Sequence, residues 1–265
     1  MKKLLLILGG VYLAILAILY FGQDWVIFRA APLPPDYQFH FDQPFEERFI
    51  QAPDGTQIST LLFRAQGKSK GLVFNNHGNR RNISRWGRTA DQFTSHGYDV
   101  FFYDYRGFGK TKGVPSEEKI HEDAEFLFNE MKKKYDENEI IIYGRSLGTG
   151  IATRLAANHH PKMLILESPY YNMADVGYMH FPLFPYSLII KHPFRTDKWI
   201  GKVACPVHIF HGTDDELIPY ESSVKLAEKL HRPKAEVLTL LKGGGHRGLN
   251  RFDAYQKKMS DLLAQ

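Results

Sequence analysis

Six short runs constrain this chain more than any other feature. They open the stretches GLVFNNHGN (71–79), YDVFFYDYRGFG (98–109), EIIIYGRSLG (139–148), KMLILESP (162–169), PVHIFHGTDD (206–215) and AEVLTLLKGGGH (235–246). Each is rich in apolar residues, is too short for an ordinary helix, and runs into a polar loop. Stretches with helical signals stand between and after them, at 83–97, 115–135, 148–159, 221–230 and 251–263. The stretch 115–135 shows those signals plainly: it opens with proline and acids and closes with lysines, the charge order that suits a helix dipole. The inner runs are apolar on both faces. Strands of that kind, alternating with helices, predict an α/β fold whose mostly parallel sheet is covered on both sides. ERFIQAPDGTQISTLLFRA (47–65) adds a hairpin, turning at Pro53-Asp54-Gly55-Thr56. At 265 residues the chain suits one large domain.

The amino terminus follows a different pattern. Leu4 to Phe21 carries no charge, and as a helix it would extend about 27 Å at 1.5 Å per residue, close to the hydrocarbon thickness of a bilayer. A cleaved signal peptide has a shorter apolar core and a small-residue cleavage site. Here Phe28 occupies the −3 position for a cut between Ala30 and Ala31. Residues 1–29 therefore read as an uncleaved membrane anchor with its flank. Lys2 and Lys3 precede the span, which predicts a cytoplasmic amino terminus and a body outside the cytoplasm. Trp25 to Phe28 suit either the membrane interface or packing on the body. The proline-rich residues 30–44 read as a linker, and 45–265 as the folded domain.

Net charge is +5, without a dense basic run interleaved with aromatics, so nucleic acid is not an expected partner. The single cysteine, Cys205, excludes an intrachain disulfide and cysteine-based metal centres, and reads as a small buried apolar residue. No metal-ligand spacing and no cofactor motif is present.

Reactive side chains gather in the loops that follow the strands. Those loops hold His77-Gly78-Asn79, Ser146, Asp214-Asp215 and His246. In an open parallel sheet, ligands bind beyond the carboxyl ends of the strands. Gly144-Arg145-Ser146-Leu147-Gly148 is a G-x-S-x-G with a strand before it and a helix after it, the setting of a nucleophile elbow. A serine hydroxyl needs a histidine base, itself oriented by a carboxylate. His246 follows a strand in GGGH, downstream of the serine. Asp214, Asp215 and Glu216 follow another strand, between serine and histidine, and Glu167 offers a further carboxylate. The backbone N–H of Leu147 is the expected first oxyanion donor, and Asn79, in the loop after GLVF, the second. His77 and His211 each precede glycine at a strand end and read as loop-shaping residues.

The pieces HGN, DYRGFGKT, YGRSLGTG, HGTDDELIP and GGGH resemble the α/β-hydrolase superfamily from about residue 45 to the end. They are most similar to its membrane-anchored α/β-hydrolase-domain proteins, near the serine aminopeptidase and monoacylglycerol lipase branch. The resemblance implies an α/β-hydrolase fold and hydrolysis of ester, thioester or amide bonds. It implies Asp215 as the acid, from the pattern HG-x-x-D-x-x-I-P. Arg80-Arg81 after HGN departs from many relatives, which carry small residues there. Residues 170–199, rich in aromatics, Met and Pro, stand where this fold often inserts a cap, and suit equally a small lid over an acyl pocket or ordinary packing over the sheet's edge. A cap beside an anchor makes a small-molecule or lipid-like acyl substrate the expectation.

Overall fold

The computed structural model describes residues 1–265. An eight-stranded sheet forms from β1 (Phe45–Gln51), β2 (Gln57–Phe63), β3 (Leu72–Asn76), β4 (Asp99–Tyr103), β5 (Ile140–Arg145), β6 (Met163–Glu167), β7 (Val207–Gly212) and β8 (Leu238–Leu241). The spatial order is β8-β7-β6-β5-β3-β4-β2-β1. The β1–β2 hairpin and the β2–β4 pair are antiparallel, and every other pair is parallel. The longer helices are α1 (Lys2–Ile27), α2 (Glu117–Lys132), α3 (Gly148–Asn158), α4 (Met173–His180), α5 (Glu221–Glu228) and α6 (Asp253–Ala264).

Alternation along each strand divides the interior in two. Leu72, Phe74, Ile140, Ile142, Leu164 and Leu166 face one core, with Leu127 and Phe128 of α2 and Ile151 and Leu155 of α3. Val73, Ile141, Met163 and Ile165 face the other, with Phe93 and with Met259 and Leu263 of α6. This is why the inner runs are apolar throughout: neither face meets water. The strand order reverses between β3 and β5, and that crevice brings the loops after β3 and β5 together.

Two local expectations change. The stretch 83–97 is not one helix but short turns at Ile83–Trp86, Gly87–Thr89 and Asp91–Thr94. Asn82 caps the first, accepting from the Ser84 N–H. Gly87 lies under the Phe41 ring, so close that a methyl there would clash. Residues 30–44 also lie against the domain. Arg29–Ala30 pairs with Arg80–Arg81, Leu33 donates to the Gly109 carbonyl, and Phe39 is buried.

The first helix is long and apolar enough to cross a membrane. Its carboxyl end divides Trp25 to Phe28 between two surroundings: Trp25 and Val26 are exposed, whereas Ile27 and Phe28 are buried against the body. Cys205 is buried, and burial pushes its thiol up to about 11.

Candidate active site

Ser146 follows β5 at φ +51°, a left-handed conformation that costs an L-residue about 1–2 kcal/mol. Bonds on both sides hold it there. Its N–H donates to the Glu167 carbonyl at 2.9 Å, and its own carbonyl accepts from the N–H and hydroxyl of Thr149. The chain then enters α3 immediately. Gly148 makes that entry possible, because a methyl there would overlap the Asn76 carbonyl oxygen.

His246 stands between two partners. Its Nε2 lies 3.0 Å from Ser146 Oγ and its Nδ1 2.8 Å from Asp215 Oδ2. Asp215 is buried, and its other oxygen accepts from the N–H groups of Leu217 and Ile218, each at 2.9 Å. Burial pulls its pKa upward. Hydrogen bonds from His211 and His246 and the Ile218 N–H outweigh that, holding the carboxyl well below its ordinary range. His211 also contacts the Ile218 carbonyl through Nε2 and Ser223 through Nδ1, so it braces the acid's loop. The loops that carry Asp215 and His246 touch directly: Asp214 N–H donates to the Gly244 carbonyl, and a methyl on Gly212 would overlap that same oxygen.

The competing carboxylates have other surroundings. Glu167 accepts from Tyr143 at 2.6 Å and Tyr255 at 2.9 Å and pairs with Arg145 at 3.0 Å. Asp214 and Glu216 are exposed, and Asp214 accepts from Thr213. Arg145, which motif reading passes over because it occupies a variable place in G-x-S-x-G, links Glu167 to the loop of His246. Its Nη2 reaches toward the His246 carbonyl at 3.4 Å, and its guanidinium lies 5.3 Å from the Trp86 ring centre. Burial pulls its pKa down and Glu167 more than restores it.

The loop after β3 lies beside the serine. A Cβ built on Gly78 would be 3.5 Å from Ser146 Cβ and 3.1 Å from Trp86. His77 is fully buried beneath this loop, its ring 4.0 Å from that of Tyr105. Its Nδ1 donates to the Gly78 carbonyl at 2.8 Å, and Tyr105 donates to the His77 carbonyl at 2.7 Å. His77 thus shapes the loop. The N–H groups of Leu147 and Asn79 donate to no protein acceptor.

The rim is basic. Arg29, Arg80, Arg81 and Arg247 are exposed, none is in an ion pair, and the Arg29, Arg247 and Arg81 charges lower the pKa of Arg80, with Arg29 foremost. A separate cleft of about 470 Å³, lined by Tyr171, Lys198, Lys225 and Lys229 among others, includes none of Ser146, Asp215 or His246.

Residues 67–189 match the family model described as serine aminopeptidase, S33. Alpha/beta hydrolase domain-containing protein 17B of Homo sapiens is 25% identical over 256 residues, covering 92% of this chain and 84% of that protein. An uncharacterized Mycobacterium tuberculosis protein is 30% identical over 202 residues, covering 74% and 70%. Lysophosphatidylserine lipase ABHD12 of Danio rerio is 32% identical over 164 residues, 54% of this chain and 42% of the lipase. Among solved structures, a Pyrococcus furiosus esterase superposes with TM-score 0.67 at 18% identity, over 89% of this chain and 97% of its own.

Proposed function

The chain belongs to the α/β-hydrolase superfamily, and from that premise we propose that it is a serine hydrolase cleaving carboxylic ester, thioester or related acyl bonds of lipid-like substrates. The observation that carries this reading is the unbroken relay from Asp215 through His246 to Ser146, at 2.8 and 3.0 Å. Ser146 Oγ attacks the acyl carbon while His246 Nε2 takes its proton. Asp215 fixes the histidine so that Nδ1 carries a proton and Nε2 is the base. The carbonyl oxygen, now negative, accepts from the N–H groups of Leu147 and Asn79, which have no other acceptor in the chain. The intermediate collapses, the leaving group departs with the proton from His246, and water resolves the acyl-Ser146 ester by the same steps.

The lipid-like substrate class draws on the lysophosphatidylserine lipase among the relatives and on the apolar first helix. We read that helix as a membrane anchor, with Lys2 and Lys3 cytoplasmic and the hydrolase domain on the opposite side. An aminopeptidase would need carboxylates at the rim to hold a substrate ammonium. The exposed guanidinium groups of Arg80, Arg81 and Arg247 beside the site would repel such an ammonium, which favours the esterase reading.

Labelling by an active-site fluorophosphonate tests the chemistry. Wild-type protein should be labelled and Ser146→Ala should not. Absence of label on folded wild type would favour a membrane-tethered binding protein, and equal label on the variant would move the nucleophile elsewhere.

A further inference from the structure

A polar cluster joins the end of α1 to the end of the cap. Gln23 donates to the Ile189 carbonyl at 3.1 Å and accepts the Lys191 N–H at 2.7 Å. Asp24 lies 2.9 Å from His192 Nε2 and 3.4 Å from Lys191 Nζ. The Lys191 ammonium lies over Tyr20, 4.8 Å from its ring centre, and over Phe21. Aromatic rings beside a long cation are the usual furniture of a membrane–water interface.

From this cluster the cap runs back along α1 toward the amino terminus. Tyr12 stacks on Phe184 at 5.4 Å, and its hydroxyl donates to the Leu183 carbonyl at 3.2 Å. The step from Gln23 to Tyr12 is about 16 Å at 1.5 Å per residue, and half a hydrocarbon layer is about 15 Å. A segment packed on Tyr12 goes wherever Tyr12 goes. We propose that the cap tip, residues 181–190, enters the lipid bilayer beside α1, with the Gln23–Asp24–Lys191–His192 cluster at the membrane surface and Leu183 near the midplane. This rests on reading α1 as a membrane span.

The tip has the composition such a place demands. Residues 176–190 contain no Asp, Glu, Lys or Arg. Phe181, Leu183 and Leu188 are 63%, 81% and 82% exposed, surface that the protein leaves uncovered and acyl chains would cover. Most of its backbone N–H groups find acceptors within the protein, while the carbonyls of Phe181, Pro182, Ser187, Leu188 and Ile190 receive no protein donor. Pro182 and Pro185 have no N–H, and those of Phe181, Tyr186, Leu188, Ile189 and Ile190 bond within the cap. Ser187 N–H donates to Tyr178, and Tyr12 serves the Leu183 carbonyl. Only the N–H groups of Leu183 and Phe184 stay without an acceptor. The embedded cap also reaches the acid's loop. His180 Nε2 lies 3.0 Å from the carbonyl of Leu217, whose N–H donates to Asp215. Membrane depth and the acid are thus joined through two residues.

The test uses the full-length chain in phosphatidylcholine vesicles, in a Cys205→Ala background. An environment-sensitive fluorophore is attached at Leu13→Cys, Leu183→Cys, Leu188→Cys or Val114→Cys. Positions 13 and 183 should be quenched several-fold more by lipids carrying a mid-chain spin label than by aqueous iodide. Position 188 should share the lipid accessibility, and position 114 should show the reverse. Lipid quenching at 13 with iodide quenching at both 183 and 188 would overturn the cap insertion and leave the anchor standing. Iodide quenching at 13 would overturn the anchor and this proposal with it. Shielding of 183 and 188 from both quenchers would mean a protein partner, such as a second copy, and would also overturn it. Fluorophosphonate labelling is read separately, so failure here is distinct from failure of the proposed chemistry.

Discussion

Glu167 and Asp215 are both buried carboxylates at strand ends, and their neighbours separate their tasks. Asp215 faces His246, whereas Glu167 is engaged by Tyr143, Tyr255 and Arg145. Asp215→Asn should lower kcat about 10⁴-fold, because the histidine loses its correct tautomer, and should also lower the urea midpoint at neutral pH, where the ionised carboxylate supplies its stabilisation. Glu167→Ala should instead cost about 3–5 kcal/mol in urea denaturation, since it strands the largely buried Arg145 charge. Equal activity loss without destabilisation would return Glu167 to candidacy as the acid. Asp215 also sets a pH dependence. Its folded pKa lies below its unfolded value near 4, so its stabilisation is present above about pH 4 and lost as pH falls through the folded pKa. The gap in urea midpoint between wild type and Asp215→Asn, followed from pH 6 to pH 3, should shift in that direction, against the wild type at the acid end.

The elbow between β5 and α3 shows how an element carries chemistry. Strand, turn and helix must meet within Ser146 and Leu147, and the helix must start against the Asn76 carbonyl. Gly148→Ala inserts a methyl into backbone that cannot retreat. A loss of about 3 kcal/mol is expected, measured by urea denaturation. Gly10→Ala in α1, with nothing within 4 Å, meets no such clash and should cost no stability. This elbow was legible before any coordinates, because apolar run, glycines and helix signals are all local. The stretch 83–97 was not. Its periodicity reads as a helix, but Gly87 packs under Phe41 from a distant segment and the helix breaks into turns. The partners of Arg145 and Glu167 were also hidden, since they come from positions 143, 167 and 255, which only sheet order brings together.

Across the whole molecule, the rim has an electrostatic sign of its own. Arg29 reaches it from the end of α1, Arg80 and Arg81 from the loop after β3, and Arg247 from beside His246. Unpaired guanidinium groups around a site raise the local concentration of anions, and salt screens the effect. Acyl substrates with an anionic group near the scissile bond should be favoured over neutral ones. The double variant Arg80→Glu, Arg247→Glu should lower kcat/KM for anionic substrates about 10-fold at low salt and leave neutral ones within about 2-fold. Assays at low and high salt with a charge-matched substrate pair measure this directly.

The sequence alone determined the alternation of strand and helix, the apolar first helix, and the order of Ser146, Asp215 and His246 along the chain. Those follow from periodicity, glycine placement and loop position, all of which act over a few residues. Tertiary structure decided what engages Glu167 and how Arg145 is held. It also packed residues 30–44 against the domain, and laid residues 183–192 along α1. Those outcomes depend on the strand order, which sets distant loops side by side. A chain read in one dimension carries the residues that meet, but the sheet decides which of them do.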